Sequence, residues 1–268
     1  MISIIMPCYN YGRFLGDSLD GIIAQQFEDW ECILVDDGST DDTADVGRSY
    51  MKMDDRIRYI YQPNAGVCAA RNTGFKAVRG SFIQFLDSDD SIAPEKLRLQ
   101  HDYLVNHPDA DLVYGDALYF NESIHQLSVN RTDHPQRSTH LRTTACGQDL
   151  LPMLCEENIM EISAPLFRRT LMERVGVFDT AFKSFEDWHY WFRCALAGAC
   201  FHYWPEPGTE TYIRYGHPSL MSDRSQMNAS GSQFRKYMQP YFRGRLAWYN
   251  RYRRLRMAVK NVLLRLNG

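Results

Sequence analysis

The sequence predicts an α/β fold, a mostly parallel sheet with helices on both faces, followed by a basic helical tail. Three observations predict it. Over the first ~115 residues, apolar strand runs alternate with helix-periodic segments, the order from which parallel sheets are built. Polar clusters follow four of those runs, which gathers them at the carboxyl edge of the sheet, where open α/β sheets bind ligands. Finally, eleven Lys and Arg but no acidic residue follow Asp223, so the net charge of −3 splits into +11 after it and −14 up to and including it.

Residues 2–6 are an apolar run that reads as a buried strand, and residues 12–26 carry helical periodicity through Phe14, Leu15, Leu19, Ile22 and Ile23. A strand over 31–35 stops at Asp36-Asp37-Gly38-Ser39, and a helix over 40–50 follows with Thr40 or Asp41 as its N-cap. Then come a strand over 57–61, an Ala-rich helix over 66–78, a strand over 81–86, a helix over 94–106 opened by Pro94, and a strand over 111–114. From 117 to 148 the pattern weakens into irregular strands and loops. Beyond it lie a short helix at 150–157, a strand at 163–167, a helical turn at 169–175 closed by Gly176, a helix at 187–197 stopped by Gly198, and strands at 200–204 and 211–215. Ser, Asn and Gly gather at 224–231, which marks a boundary before the tail. The expected organisation is a nucleotide-binding half (1–115), a second half of the same domain (116–223) and a basic amphipathic tail (224–268).

A chain of 268 residues suits one large domain or one with an appendage, and 44% hydrophobic content is ample for its core. No stretch approaches the ~18 apolar residues of a membrane span. Residues 1–6 enter a strand without a basic leader region. The seven cysteines show no metal spacing and lie mostly in apolar patterns, so reduced thiols and a cytoplasmic protein are expected.

Leu86-Asp87-Ser88-Asp89-Asp90 ends a strand in three carboxylates within four residues. Crowded carboxylates repel unless solvated or neutralised, and Asp87 and Asp89 offer hard oxygens suited to Mn²⁺ or Mg²⁺ bridging phosphates. A solvated acidic turn before the helix at Pro94 accounts for the same residues. At Asp36-Asp37-Gly38-Ser39 a carboxylate can accept a hydrogen bond from a pyrimidine N–H, or simply cap a helix. Asn64-Ala65-Gly66 opens a helix whose start suits a close anion, and Arg71 is within reach of a diphosphate. Phe185-Glu186-Asp187-Trp188 places acids at a helix start, favourable to the helix dipole and also suited to a general base. His217 is a solvated loop residue or a further metal ligand.

Together these motifs resemble family 2 of the inverting glycosyltransferases, whose fold is the Rossmann-like GT-A fold. The resemblance rests on 4–10 (Ile-Ile-Met-Pro-Cys-Tyr-Asn), 35–41 (Val-Asp-Asp-Gly-Ser-Thr-Asp), Asn64-x-Gly66, Ala70-Arg71-Asn72-x-Gly74, 86–90 and Glu186-Asp187, and it covers residues 2–222. It implies a metal-dependent hexosyl transfer from a nucleoside-diphosphate sugar to a glycan or lipid-linked glycan. Donor-base contacts fall on Pro7, Tyr9 and Asp37, and diphosphate and ribose contacts on Arg71 and Asp87. Asn10, Asn64, Gly66 and Ser88 complete the nucleotide-sugar set. Metal binding falls on Asp89 and His217, with Mn²⁺ or Mg²⁺ as the cofactor, and base catalysis falls on Asp187. Many members have glycine where this chain has Phe185. The membrane helices and Q-x-x-R-W motif of processive synthases are missing from the sequence. A nucleotidyltransferase is the other enzyme reading, and a non-catalytic nucleotide-binding module the third. The stripe Trp248, Tyr252, Leu255, Val259, Val262 and Leu266, edged by arginines, suits an anionic membrane surface, self-association or packing on the domain itself.

Overall fold

The computed structural model describes residues 1–121, 142–217 and 224–266, apart from the side chains of 224 and 261–266. Strand β1 (Ile2–Cys8) is buried along its whole length and sits inside the main sheet. It pairs in parallel with β2 (Trp30–Asp36), Cys8 opposite Asp36, and with β4 (Phe82–Phe85), Ile5 opposite Phe85. Strand β3 (Ile57–Tyr61) runs parallel outside β2, with Tyr61 opposite Asp36. All four strands therefore end at one edge. Their side chains alternate between two cores: Ile2, Ile4 and Met6 of β1 point to one, and Ile5 to the other.

Helices α1 (Gly12–Ile23) and α2 (Thr43–Met53) connect the first three strands, and α3 (Val67–Ala77) leads into β4. The bridge β5 (Ser91–Ile92) and helix α4 (Lys96–Asn106) precede β6 (Leu112–Tyr114) and β7 (Ala117–Phe120). After β8 (Ala145–Cys146) and α5 (Leu151–Glu156), β9 (Pro165–Arg168) inserts antiparallel between β4 and β6. Helices α6 (Arg169–Val175) and α7 (Glu186–Leu196) follow, and β10 (Cys200–Tyr203) pairs parallel to β6 and antiparallel to β8. The main sheet order is β3-β2-β1-β4-β9-β6-β10-β8, and β11 (Thr211–Arg214) joins β5 and β7 in a smaller sheet. The mostly parallel expectation holds: β1 to β4 pair in parallel, as do β6 and β10, with β9 antiparallel between them. Residues 122–141, read as irregular from the sequence, lie outside the described residues.

One expectation is corrected. Cys146 and Cys200 lie directly opposite each other on β8 and β10 and form a disulfide, so these two are not reduced thiols; the other five cysteines are free and buried. The stretch 224–231, where the sequence marks a boundary, begins the helical tail. It opens helix α8 (Arg224–Met238), whose Phe234 and Met238 are buried in the same core as Trp188 and Trp191. A short 3-10 turn (Gln239–Tyr241) leads to α9 (Gly244–Leu266), anchored by Leu246, Ala247 and Tyr249. Arg235, counted with the basic tail, is buried. It donates to the Cys155 carbonyl, faces the Trp188 ring at 5.1 Å, and has Asn250 beside it. Helix α8 and the start of α9 pack on the body, because their apolar residues fall on the face that meets α5 and α7.

Candidate functional site

The loops leaving β1, β2, β3 and β4 are tied to one another by their own polar residues. Asn10 has φ of +57°, a conformation its short amide tolerates. From there its N–H donates to Ser39 Oγ (2.9 Å), and its Oδ1 accepts from Thr40 N–H (2.8 Å). These bonds hold 39–40 out of helix, so α2 begins at Thr43 rather than at 40, with Asp41 accepting from the N–H groups of Thr43 and Gly12. Pro7 is buried and offers its carbonyl to Ser88 Oγ at 2.6 Å, while Tyr9 is exposed beside it.

Asp36 and Asp37 have different duties. Asp36 is wholly buried and accepts from Tyr59 O–H and Ser39 N–H. Asp37 gathers the loop before α3. Its Oδ1 accepts from Gln62 Nε2 (2.6 Å) and Ala65 N–H (2.9 Å), its Oδ2 from Gly66 N–H (2.8 Å), and its carbonyl from Asn64 Nδ2 (2.9 Å). Gly38, at φ +78°, lets the chains cross, since a Cβ there would meet Asn64 N at 2.6 Å. Asn64 and Gly66 are exposed at the amino end of α3.

The carboxylates after β4 also separate into roles. Asp90 is buried and structural, accepting from Ser163 Oγ (2.7 Å) and Arg214 N–H (3.2 Å). Asp89 meets His217 Nε2 at 3.0 Å, and the Arg214 guanidinium donates to its carbonyl. Burial raises the pKa of both acids, Asp87 adding repulsion at each, and His217 partly offsets this at Asp89. Among the described residues no three His, Cys, Asp or Glu converge as a metal-binding group. The Asp89–His217 pair nonetheless fits a divalent cation bound mainly through substrate phosphates, which needs one or two protein ligands. The repulsion of Asp87, Asp89 and Asp90 favours positive charge there.

Arg71 is the joint between the two halves of the site. It is 1% exposed, beneath the site rather than on its surface, with Nη2 on Asp87 Oδ1 (2.8 Å) and Nη1 on Glu186 Oε1 (2.9 Å). Sequence reasoning gave Arg71 to the diphosphate and gave Glu186 no partner. The structure spends both terminal guanidinium nitrogens on carboxylates, one on the loop after β4 and one at the start of α7.

Asp187 follows Glu186 and is half-buried. Its pKa is pushed up to about 8, chiefly by burial and then by the nearby carboxylates Glu186 and Glu161. Asn158 Nδ2 donates to Asp187 Oδ2 at 2.7 Å and Trp188 N–H to Oδ1 at 2.6 Å. Asn158 escaped sequence reasoning, since nothing in Glu156-Glu157-Asn158 announces a partner 29 positions away. Phe185, the residue before the acidic pair, has φ of +61°, rare for a bulky side chain. It keeps the backbone a glycine would adopt, and its ring lies against Gly231 of α8, where a Cβ would sit 3.3 Å from Phe185 Cε2 and 2.7 Å from Met257 Sδ.

The profile of glycosyl transferase family 2 matches residues 3–164, more than half of the chain. The chain belongs to that family. Among curated relatives, glycosyltransferase GlyA of Streptococcus pneumoniae is 40% identical over 122 residues, 46% of this chain and 17% of GlyA. The uncharacterized glycosyltransferase EpsJ of Bacillus subtilis is 33% identical over 196 residues, 70% of this chain and 54% of EpsJ. The chain therefore spans about half of EpsJ and a small part of GlyA. In fold, S. aureus TarS in complex with UDP-GlcNAc superposes with a TM-score of 0.68 at 20% identity, over 88% of this chain and 65% of that one. The mannosyltransferase PcManGT from Pyrobaculum calidifontis, in complex with GDP-Man and Mn²⁺, gives 0.68 at 18% identity over 100% and 75%. The fold of this family 2 member is GT-A.

Proposed function

We propose that this family member is an inverting glycosyltransferase that moves a sugar from a UDP-linked donor to a hydroxyl of a glycan or lipid-linked glycan. One observation carries the reading: Arg71 joins Asp87, on the metal-side loop, to Glu186, next to Asp187. A donor on the loops and a base on α7 thus belong to one rigid site.

Tyr9 offers an exposed ring for the base, and Asp37 Oδ2, with one partner, keeps acceptor capacity for a pyrimidine N–H. Asn10, Asn64 and Gly66 line the same edge, and the amino end of α3 favours the diphosphate. A divalent ion, Mn²⁺ or Mg²⁺, held by Asp89 and His217 would neutralise charge on the departing diphosphate. Asp187 takes the acceptor's proton as that oxygen bonds to the anomeric carbon and the bond to the diphosphate oxygen breaks. Its raised pKa makes it a stronger base than an ordinary carboxylate, and Asn158 and the Trp188 N–H hold the carboxylate in place. Attack opposite the leaving group turns an α-linked donor into a β-glycoside. The donor, doubly charged, does not cross a bilayer unaided, which supports a reaction in the cytoplasm.

The test is a panel of UDP-sugars with Mn²⁺, read by UDP release and by NMR of the product anomer. The expected result is UDP release and a β-linked product. Pyrophosphate formed from UTP and a sugar phosphate would replace this reading with a nucleotidyltransferase. UDP binding without turnover of any donor would reduce the protein to a binding module.

A further inference from the structure

We propose that the outer face of α9 docks on an anionic lipid bilayer. Trp248, Tyr252, Leu255 and Val259 recur at spacings of four and three, and all lie between 45% and 68% exposed. The Trp248 and Tyr252 rings stack at 5.8 Å, nearly parallel. Of the three roles the sequence leaves open for the stripe, packing on its own domain does not account for these exposed side chains. It is the opposite face that packs there: Leu246, Ala247 and Tyr249 reach the core, Asn250 is buried, and Met257 lies over Gly231. With that face fixed, the helix cannot turn its stripe inward. Val262 and Leu266 continue the sequence pattern, but their side chains lie outside the described residues.

Charge chooses the occupant. Arg251 lies roughly 70° to one side of the stripe, and Arg245 and Arg256 roughly 50–70° to the other, at 100° per residue. All three are exposed, as is Lys260, and no acidic residue follows Asp223. A second copy would set these cations against their own kind with no carboxylate on α9 to answer them. A nucleic acid would take the arginines and leave Leu255 and Val259 in water. A bilayer satisfies both: aliphatic side chains reach the acyl boundary, aromatic rings sit at headgroup depth, and guanidiniums pair with anionic headgroups. No helix among the described residues is long and apolar enough to cross a membrane, so α9 would lie on the surface.

The experiment is vesicle flotation of the full chain with phosphatidylcholine alone or mixed with phosphatidylglycerol, at low and high salt. It needs no donor, so its outcome is separate from any transfer assay. The protein is expected to float with the mixed vesicles at low salt, to be largely released by high salt, and to show a blue shift in emission that Trp248→Phe removes. Leu255→Ser and Trp248→Ser should each abolish flotation, and Arg251→Glu with Arg256→Glu should remove the preference for anionic lipid. These side chains face solvent, so melting temperatures should match wild type. Absence of flotation, equal flotation on both vesicles, or full binding by the serine variants overturns the proposal. So does a dimeric mass in sedimentation that Leu255→Ser halves.

Discussion

In residues 1–115 the loops after β1, β2, β3 and β4 leave parallel strands at one edge of the main sheet and are bound to one another by Asn10, Ser39, Asp37 and Ser88. In the later part of the chain, Asp187 depends on partners gathered from afar: Asn158, Arg71 through Glu186, and Phe185 held by Gly231 on α8. The first region is organised by backbone register, the second by side-chain packing across 29 to 115 positions of sequence. Substitutions in the two should therefore fail differently. Those in the loops should lose ligand affinity, and those around α7 should lose turnover or stability.

The largest effect should come from Asp187→Asn. Loss of a general base costs roughly 10²–10⁴ in turnover, and UDP binding should be unchanged. Steady-state rates with a matched binding isotherm check this. Next is Arg71→Ala. It strands Asp87 and Glu186 beside a buried gap, and breaking a buried ion bridge costs about 3–5 kcal/mol. Urea denaturation would measure it, and a loss under about 1 kcal/mol would mean the bridge is ordinary surface pairing.

The pH response follows from Asp187. The base must be ionised, so kcat/KM of the free enzyme should rise with pH through about 8. Stability moves the other way. Because the folded pKa lies above the unfolded value, the native state holds the proton more tightly, and this contribution is full below about 4 and lost as pH rises through about 8. Asn158→Leu removes a donor to the carboxylate and should shift the ascending limb to higher pH. A limb that stays in place would show that Asn158 only packs. The smallest effect concerns Phe185. Phe185→Ala keeps the left-handed strain and loses the ring, whereas Phe185→Gly loses both, so the glycine variant should be the more stable by about 1 kcal/mol.

The contrast also explains what was legible in the sequence. Apolar runs and the polar clusters after them located β1 to β4 and the loops that follow them, because local pattern and register determine both. Pairing direction was not legible: β9 reads as any buried strand, and only the space between β4 and β6 turns it antiparallel. The Cys146–Cys200 bond depends on β8 lying beside β10 across 54 positions. Glu186 looked like a helix-start acid until Arg71 was found beneath it, and the Ser, Asn and Gly of α8 gave no sign that Phe234, Arg235 and Met238 are buried against the domain. Phe185 is the opposite case. The motif expects glycine, and the backbone keeps glycine's conformation despite the ring.

The division of labour between the two regions is tested most directly by calorimetric titration of UDP, with and without Mn²⁺, into wild type, Asp89→Ala and Asp187→Asn. The account predicts that Asp187→Asn binds as wild type does in both conditions. It predicts that Asp89→Ala loses the gain in affinity that Mn²⁺ confers. Mn²⁺-dependent binding that survives Asp89→Ala, or is lost with Asp187→Asn, would contradict it.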